Sequence, residues 1–190
     1  ILLGAHSRYQ VKSGWFRGTF VARAFPKPPT TVRGIIAEAT GATEEAAIAA
    51  LHAAIDARED KRTEDRRSDP LTGVAVPSLE EYVEAMAQTA LSLPQRAMLT
   101  ALALADEDGL AETQVASAAG YKSRTSANRA FAAAGQLLAD YLAVDLQSKA
   151  QTEALDGTVL LGFRGAQAQE DRPGNWILHP ELREAVRSTL

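Results

Sequence analysis

Between His6 and Phe25 the side chains alternate in character with a period of two, and beyond Thr43 the apolar positions recur at helical spacing. HSRYQVKS (6–13) and WFRGTFVARAF (15–25) are rich in aromatic and β-branched residues and predict two strands, with Ser13-Gly14 as the turn. In the second run Phe16, Gly18, Phe20, Ala22 and Ala24 alternate with Arg17, Thr19, Val21, Arg23 and Phe25, which puts Arg17 and Arg23 on one face. Proline cannot donate into a ladder, so Pro26-Lys27-Pro28-Pro29 predicts a loop, and VRGIIAEAT (32–40) predicts a third strand. From Thr43 to about Arg58 the pattern becomes helical. Thr43 can cap, Glu44 and Glu45 suit the positive end of the helix dipole, and Ile48, Leu51 and Ile55 form an apolar stripe.

Arg58 to Asp69 holds ten charged residues in twelve, five of each sign, and predicts either a solvated helical extension or a linker. Pro70 and Gly73 interrupt any helix there. The expected domains are therefore 1–60, a three-stranded β-β-β-α unit, and 78–190, with 61–77 as a charged linker between them.

The second unit opens on two capping-box signatures, Ser78 with Glu81 and Ser92 with Gln95, each followed by apolar residues at helical spacing. Gly109 to Tyr141 then reads as a short helix, a glycine turn and a longer helix, the pattern of a helix-turn-helix. Ser123 is a candidate cap for the longer helix. Ala127, Phe131, Ala134, Leu138 and Tyr141 recur at 4-3-4-3 spacing and should face the core. Residues 158–164 and 175–178 predict two strands around a polar loop, and Pro180 starts a last helix. Helices followed by such a hairpin predict a winged helix, with residues 165–174 as the wing tip. The expected fold class is α+β: the β-β-β-α unit, then a mainly helical winged helix-turn-helix domain.

Charge sharpens this picture. The net charge is −4, which argues against indiscriminate coating of nucleic acid. Yet residues 1–36 carry six basic side chains and no acid: Arg8, Lys12, Arg17, Arg23, Lys27 and Arg33. Thr113 to Ala139 is again free of acid and contains Lys122, Arg124 and Arg129. Arg124, Thr125, Asn128 and Arg129 fall off the apolar stripe near the start of the second helix, where a recognition helix meets base edges. Arginine can chelate guanine and asparagine can pair with adenine, while Lys122 and Ser123 suit phosphate. Arg164 and Arg172 on the wing would touch flanking backbone, and Arg17, Arg23 and Arg33 would form a second basic surface.

Gly120-Tyr121-Lys122-Ser123, then Ala127-Asn128 and Phe131, resembles a helical module found beside HNH nuclease domains in bacterial restriction-type proteins. In that module the run reads GYKS, then AN, then a Tyr-Gly pair, whereas Phe131 and Ala132 stand at the last two positions here. The resemblance spans about Ser92 to Leu190 and implies DNA engagement by Lys122, Ser123 and Asn128. It does not carry over nuclease activity, because the chain has no His-Asn-His cassette. The strand and alanine-rich helix around ATGATEEAAIAALHAAID (39–56) are similar to HicB-type antitoxin domains and to ethylene-response-factor β-β-β-α units. The latter implies a sheet lying in a major groove.

Catalytic chemistry has little support, and the chain is expected not to be an enzyme and to need no cofactor or metal. It has no cysteine, and His6, His52 and His179 fit no metal-ligand spacing. Neither G-x-S-x-G nor G-x-x-x-x-G-K-[ST] occurs. The acidic pairs Glu44/Glu45, Glu80/Glu81 and Asp106/Asp108 are explained by capping and solubility. Trp15 is expected to pack on the helix and Trp176 in the core. No apolar run approaches the roughly 20 residues of a membrane span, and no signal peptide is visible, so a cytoplasmic protein is expected. The start on Ile1 rather than methionine predicts a fragment. The expected partner is double-stranded DNA, bound as a regulator or targeting component, with a homodimer possible on a palindromic site. The alternatives are a protein-interaction module with a protein partner, or an accessory subunit of a nuclease.

Overall fold

The computed structural model describes residues 2–27, 34–146, 155–166 and 173–190. These residues form two compact units, Ile1–Asp65 and Arg66–Leu190, and the chain is α+β.

The first unit is an antiparallel meander of four strands followed by a helix. β1 (Leu2–His6), β2 (Tyr9–Phe16), β3 (Thr19–Pro26) and β4 (Ala37–Gly41) lie side by side in chain order, and α1 spans Glu44–Glu64. The expected sheet of three strands thus gains an edge strand. Its turns also move. Ser13 and Gly14 sit inside β2, paired with Ala22 and Val21. The reversal occurs at Arg17-Gly18, both at positive φ (48° and 88°), which lets two residues join the strands. A two-residue turn keeps Phe16 opposite Thr19, so Phe16 shares a face with Val21, Arg23 and Phe25 rather than with Phe20 and Ala22. A period of two that runs straight through the turn would place Phe16 on the other face.

Alternation then builds the core. Tyr9, Val11, Ala22 and Ala24 meet Ala47, Leu51 and Ile55 of α1 on one side of the sheet. The Thr43 hydroxyl caps α1 by accepting from the Ala46 N–H at 3.1 Å, and the charged run continues the helix to Glu64. On β2, Trp15, expected to pack on the helix, is not among the residues of the core that α1 covers. It is 64% exposed and makes an edge contact with Phe20, ring centroids 4.8 Å apart.

The second unit begins with a hairpin, β5 (Arg67–Ser68) and β6 (Ala75–Val76), in which the Asp69 carboxylate accepts from the N–H groups of Leu71 and Thr72 and from the Thr72 hydroxyl. Residues 61–77, expected as a linker, therefore hold the end of α1 and this hairpin. α2 (Leu79–Gln88) and α3 (Leu93–Ala105) both carry complete capping boxes, from Ser78 with Glu81 and from Ser92 with Gln95. A short 3-10 turn (Asp106–Asp108) leads to Leu110, which forms an antiparallel bridge with Trp176. α4 (Glu112–Ala118) and α5 (Arg124–Leu142) follow.

Residues 158–161, read from the sequence as strand, form a helical turn, α6 (Thr158–Leu161). The Asp156 carboxylate holds that turn through the N–H and hydroxyl of Thr158. The strand is shorter, β7 (Gly162–Arg164), and pairs with β8 (Trp176–Leu178) before α7 (Pro180–Thr189). Phe131, Leu138, Leu142, Leu160, Leu161, Leu178 and Leu182 lie in the buried core. At its base, fully buried Glu81 receives a forked ion pair from Arg66, whose guanidinium also donates to the Leu142 carbonyl at 2.7 Å.

Candidate nucleic-acid interface

The turn between α4 and α5 follows from one glycine. Gly120 sits at φ 73°, its N–H bonds the Ser117 carbonyl at 3.1 Å, and the Tyr121 N–H bonds the Ala116 carbonyl at 2.9 Å. That double closure ends α4 and directs the chain into α5. Tyr121 packs against the core, so Lys122 and Ser123 emerge on the surface. Ser123 occupies the cap position in extended conformation, but its hydroxyl makes no capping bond.

The buried side of α5 is the expected stripe: Ala127, Phe131, Ala134 and Leu138 are buried, and half-buried Tyr141 donates to Glu84 at 2.9 Å. On the other side Lys122, Ser123, Arg124, Thr125 and Arg129 are exposed. Lys122 to Thr125 stand at the helix start, where unsatisfied N–H groups add to the positive potential, and Arg129 follows one turn on.

Asn128 and Arg164 are placed differently. Both are half-buried and converge on Glu112, the first residue of α4. Asn128 donates to the Glu112 carboxylate at 3.2 Å, Arg164 forms a short charged hydrogen bond with it, and Arg124 approaches within 4.0 Å. Arg164 also donates to the Gly174 carbonyl at 3.2 Å and lies 3.8 Å from the Trp176 ring centroid. Burial works to raise the Glu112 pKa. The hydrogen bonds from Arg164 and Asn128 and the charges of Arg164 and Arg124 outweigh it and hold the carboxyl below its usual range. No motif marks Glu112 in the sequence, where its one signal is its place directly before the long acid-free run.

Trp176 itself is in the core as expected, tilted against Phe131 with centroids 5.5 Å apart. Its backbone leaves no room at Gly109. A Cβ there would sit 2.3 Å from the Trp176 carbonyl oxygen, and Gly109 has φ 60°. Glycine thus permits the Leu110 bridge that ties the entry of α4 to β8. Arg172 and most of the expected wing tip lie outside the described residues.

The first unit holds a second basic surface. Arg17 at the turn and Arg23 on β3 flank the Phe16 ring, each guanidinium 5.1 Å from its centroid. Arg23 is also paired with Glu38 of β4 at 2.5 Å. Arg33 lies outside the described residues.

Among the histidines, the fold stacks His6 of β1 on His52 of α1, centroids 3.9 Å apart, with His6 Nε2 2.6 Å from Asp56. His179 is buried between the Val159 carbonyl and Arg67. Among the described residues no three His, Asp or Glu side chains are grouped so as to hold a metal ion, and no helix is long and apolar enough to cross a membrane. Compared with protein-family models, with curated proteins and with solved structures, the chain matches none.

Proposed function

We propose that the Arg66–Leu190 unit is a winged helix-turn-helix that binds double-stranded DNA in a sequence-dependent way. The order of its elements supports this reading: α3, a bridging residue at Leu110, α4, the Gly120 turn, α5, then the β7–β8 hairpin with β8 between Leu110 and β7. The single observation that carries it is the exposed cations Lys122, Arg124 and Arg129 on the first two turns of α5 and the residues just before it.

In this proposal Arg124, Thr125 and Arg129 meet base edges, and Lys122 and Ser123 hold phosphate. Asn128 and Arg164 play a different part from the one their residue types suggest. Tied to Glu112, they fix the angle between α4, α5 and the hairpin, and only Arg124 retains a loose hold on the same carboxylate. A dimer would read a palindrome. Selection from a random duplex pool tests the proposal: a common motif should enrich, and its binding should weaken steeply as salt rises. Failure of any duplex to enrich would contradict it.

The second reading, a protein-interaction module, is favoured by Leu93 and Leu104, which stand exposed on α3. Binding through such an apolar surface would change little with salt.

A further inference from the structure

We infer that the outer face of the first unit's sheet, the face opposite α1, binds single-stranded DNA, with separate bases resting on Phe16 and on Phe25. The hairpin register sets out this surface. Phe16 faces Thr19, Gly14 faces Val21, Lys12 faces Arg23, and Phe25 faces Gln10, all on the side of the sheet away from the Tyr9, Val11, Ala22 and Ala24 core. Two phenyl rings therefore stand at opposite ends of a strip, about 20 Å apart along the strand, with the Gly14–Val21 and Lys12–Arg23 pairs between them. A cavity of about 210 Å³ opens along this strip, lined by Lys12, Gly14, Phe16, Val21, Arg23 and Phe25 among others.

Cations lie over both rings. Lys12 Nζ lies 5.2 Å from the Phe25 centroid, and Arg17 and Arg23 each lie 5.1 Å from that of Phe16. Phe16 is nevertheless 44% exposed, so part of the ring is open to a ligand. Apolar rings alternating with positive charges match a strand that alternates bases with phosphates. A duplex keeps its bases stacked inside and would offer neither ring a base. The lining also suits a deoxyribose. Ser13, the one hydroxyl among the lining residues, is buried and donates to Glu44 at 2.8 Å, and the Glu38 carboxylate on this face is taken up by Arg23, so neither is available to a 2′-hydroxyl. The Arg23–Glu38 pair leaves Lys12 and Arg17 as the principal phosphate contacts.

The test is fluorescence anisotropy of the full chain with a labelled oligodeoxythymidine of about 12 nucleotides, within the range such surfaces cover. Binding that weakens with salt is expected. Phe16→Leu and Phe25→Leu, which keep an apolar side chain but remove the ring, should each weaken it about tenfold. Lys12→Ala with Arg17→Ala should weaken it and flatten the salt dependence. These two side chains are exposed, so this variant decides the matter should a leucine variant lose its circular dichroism spectrum. Arg124→Ala with Arg129→Ala should leave oligodeoxythymidine binding unchanged, which separates this site from the one proposed on α5. The inference is overturned if the oligomer does not bind, or if the ring and cation variants bind it as well as the parent chain. It is equally overturned if oligouridine, or a duplex of the same length, occupies the surface as tightly with the same sensitivity to Phe16→Leu.

Discussion

Asn128 of α5 donates a hydrogen bond to Glu112 of α4 at 3.2 Å, so the residue type best suited to reading adenine is engaged inside the protein. The same carboxylate holds Arg164 of β7 and lies within 4.0 Å of Arg124. One acid thus joins both helices and the hairpin, and it places a negative charge beside a surface proposed to meet phosphates.

Glu112→Gln should therefore act on affinity and specificity in opposite directions. Loss of the charge frees Arg164 and Arg124 to attract phosphate, so binding to random duplex should tighten, with a steeper salt dependence. The helix–hairpin geometry loosens, so the ratio of selected to random affinity should fall. Parallel titrations of the two duplexes at several salt concentrations read both effects.

Acid should destabilise the second unit in two stages. Burial lowers the His179 pKa most, and the charge of Arg67 adds to this, while the hydrogen bond to the Val159 carbonyl opposes them; the net folded value lies below 6.5. The unfolded chain then takes up the proton first. The stability from the neutral ring is complete above about pH 6.5 and is lost as pH falls through the lower folded value. Glu112 and Glu181, both held below 4.5, and Asp69, held below 3.8, follow the same sign at lower pH. Urea titrations between pH 8 and pH 2 should show a falling midpoint, and His179→Gln should flatten the upper part of that fall.

Arg66→Ala should cost about 3–5 kcal/mol, because it leaves the fully buried Glu81 carboxylate without its charged partner. Arg66→Met with Glu81→Met removes both charges and should recover much of the loss. Chemical denaturation of the two variants makes the comparison.

The readable parts of this fold were those written in local chemistry. Thr43, Ser78 and Ser92 announce three helices because a hydroxyl can satisfy an N–H three residues on, whatever the rest of the chain does. The core stripe of α5 was legible for a similar reason, since its period is fixed by the helix. The failures were of long-range origin. LLGAH has no strong strand signal and becomes β1 only by pairing with β2. Thr158 to Leu161 has strand-like composition, yet the Asp156 bonds and the approach of Gly157 to α5 hold it as a helical turn. The face of Phe16 depended on where the hairpin turned, and Ser13-Gly14 offered a plausible but wrong place. Within the candidate site, the exposed front of α5 could be drawn from the sequence. The capture of Asn128 and Arg164 could not, because Glu112 lies 16 and 52 residues away from them.

The most direct measurement is the affinity of Arg124→Ala with Arg129→Ala for the duplex enriched by the parent chain, taken across a salt series. Each lost base contact should cost about 1–3 kcal/mol, and the preference for the selected sequence should collapse toward that for random duplex. Unchanged affinity and unchanged preference in that double variant, with the fold intact, would contradict the assignment of α5 as the element that reads DNA.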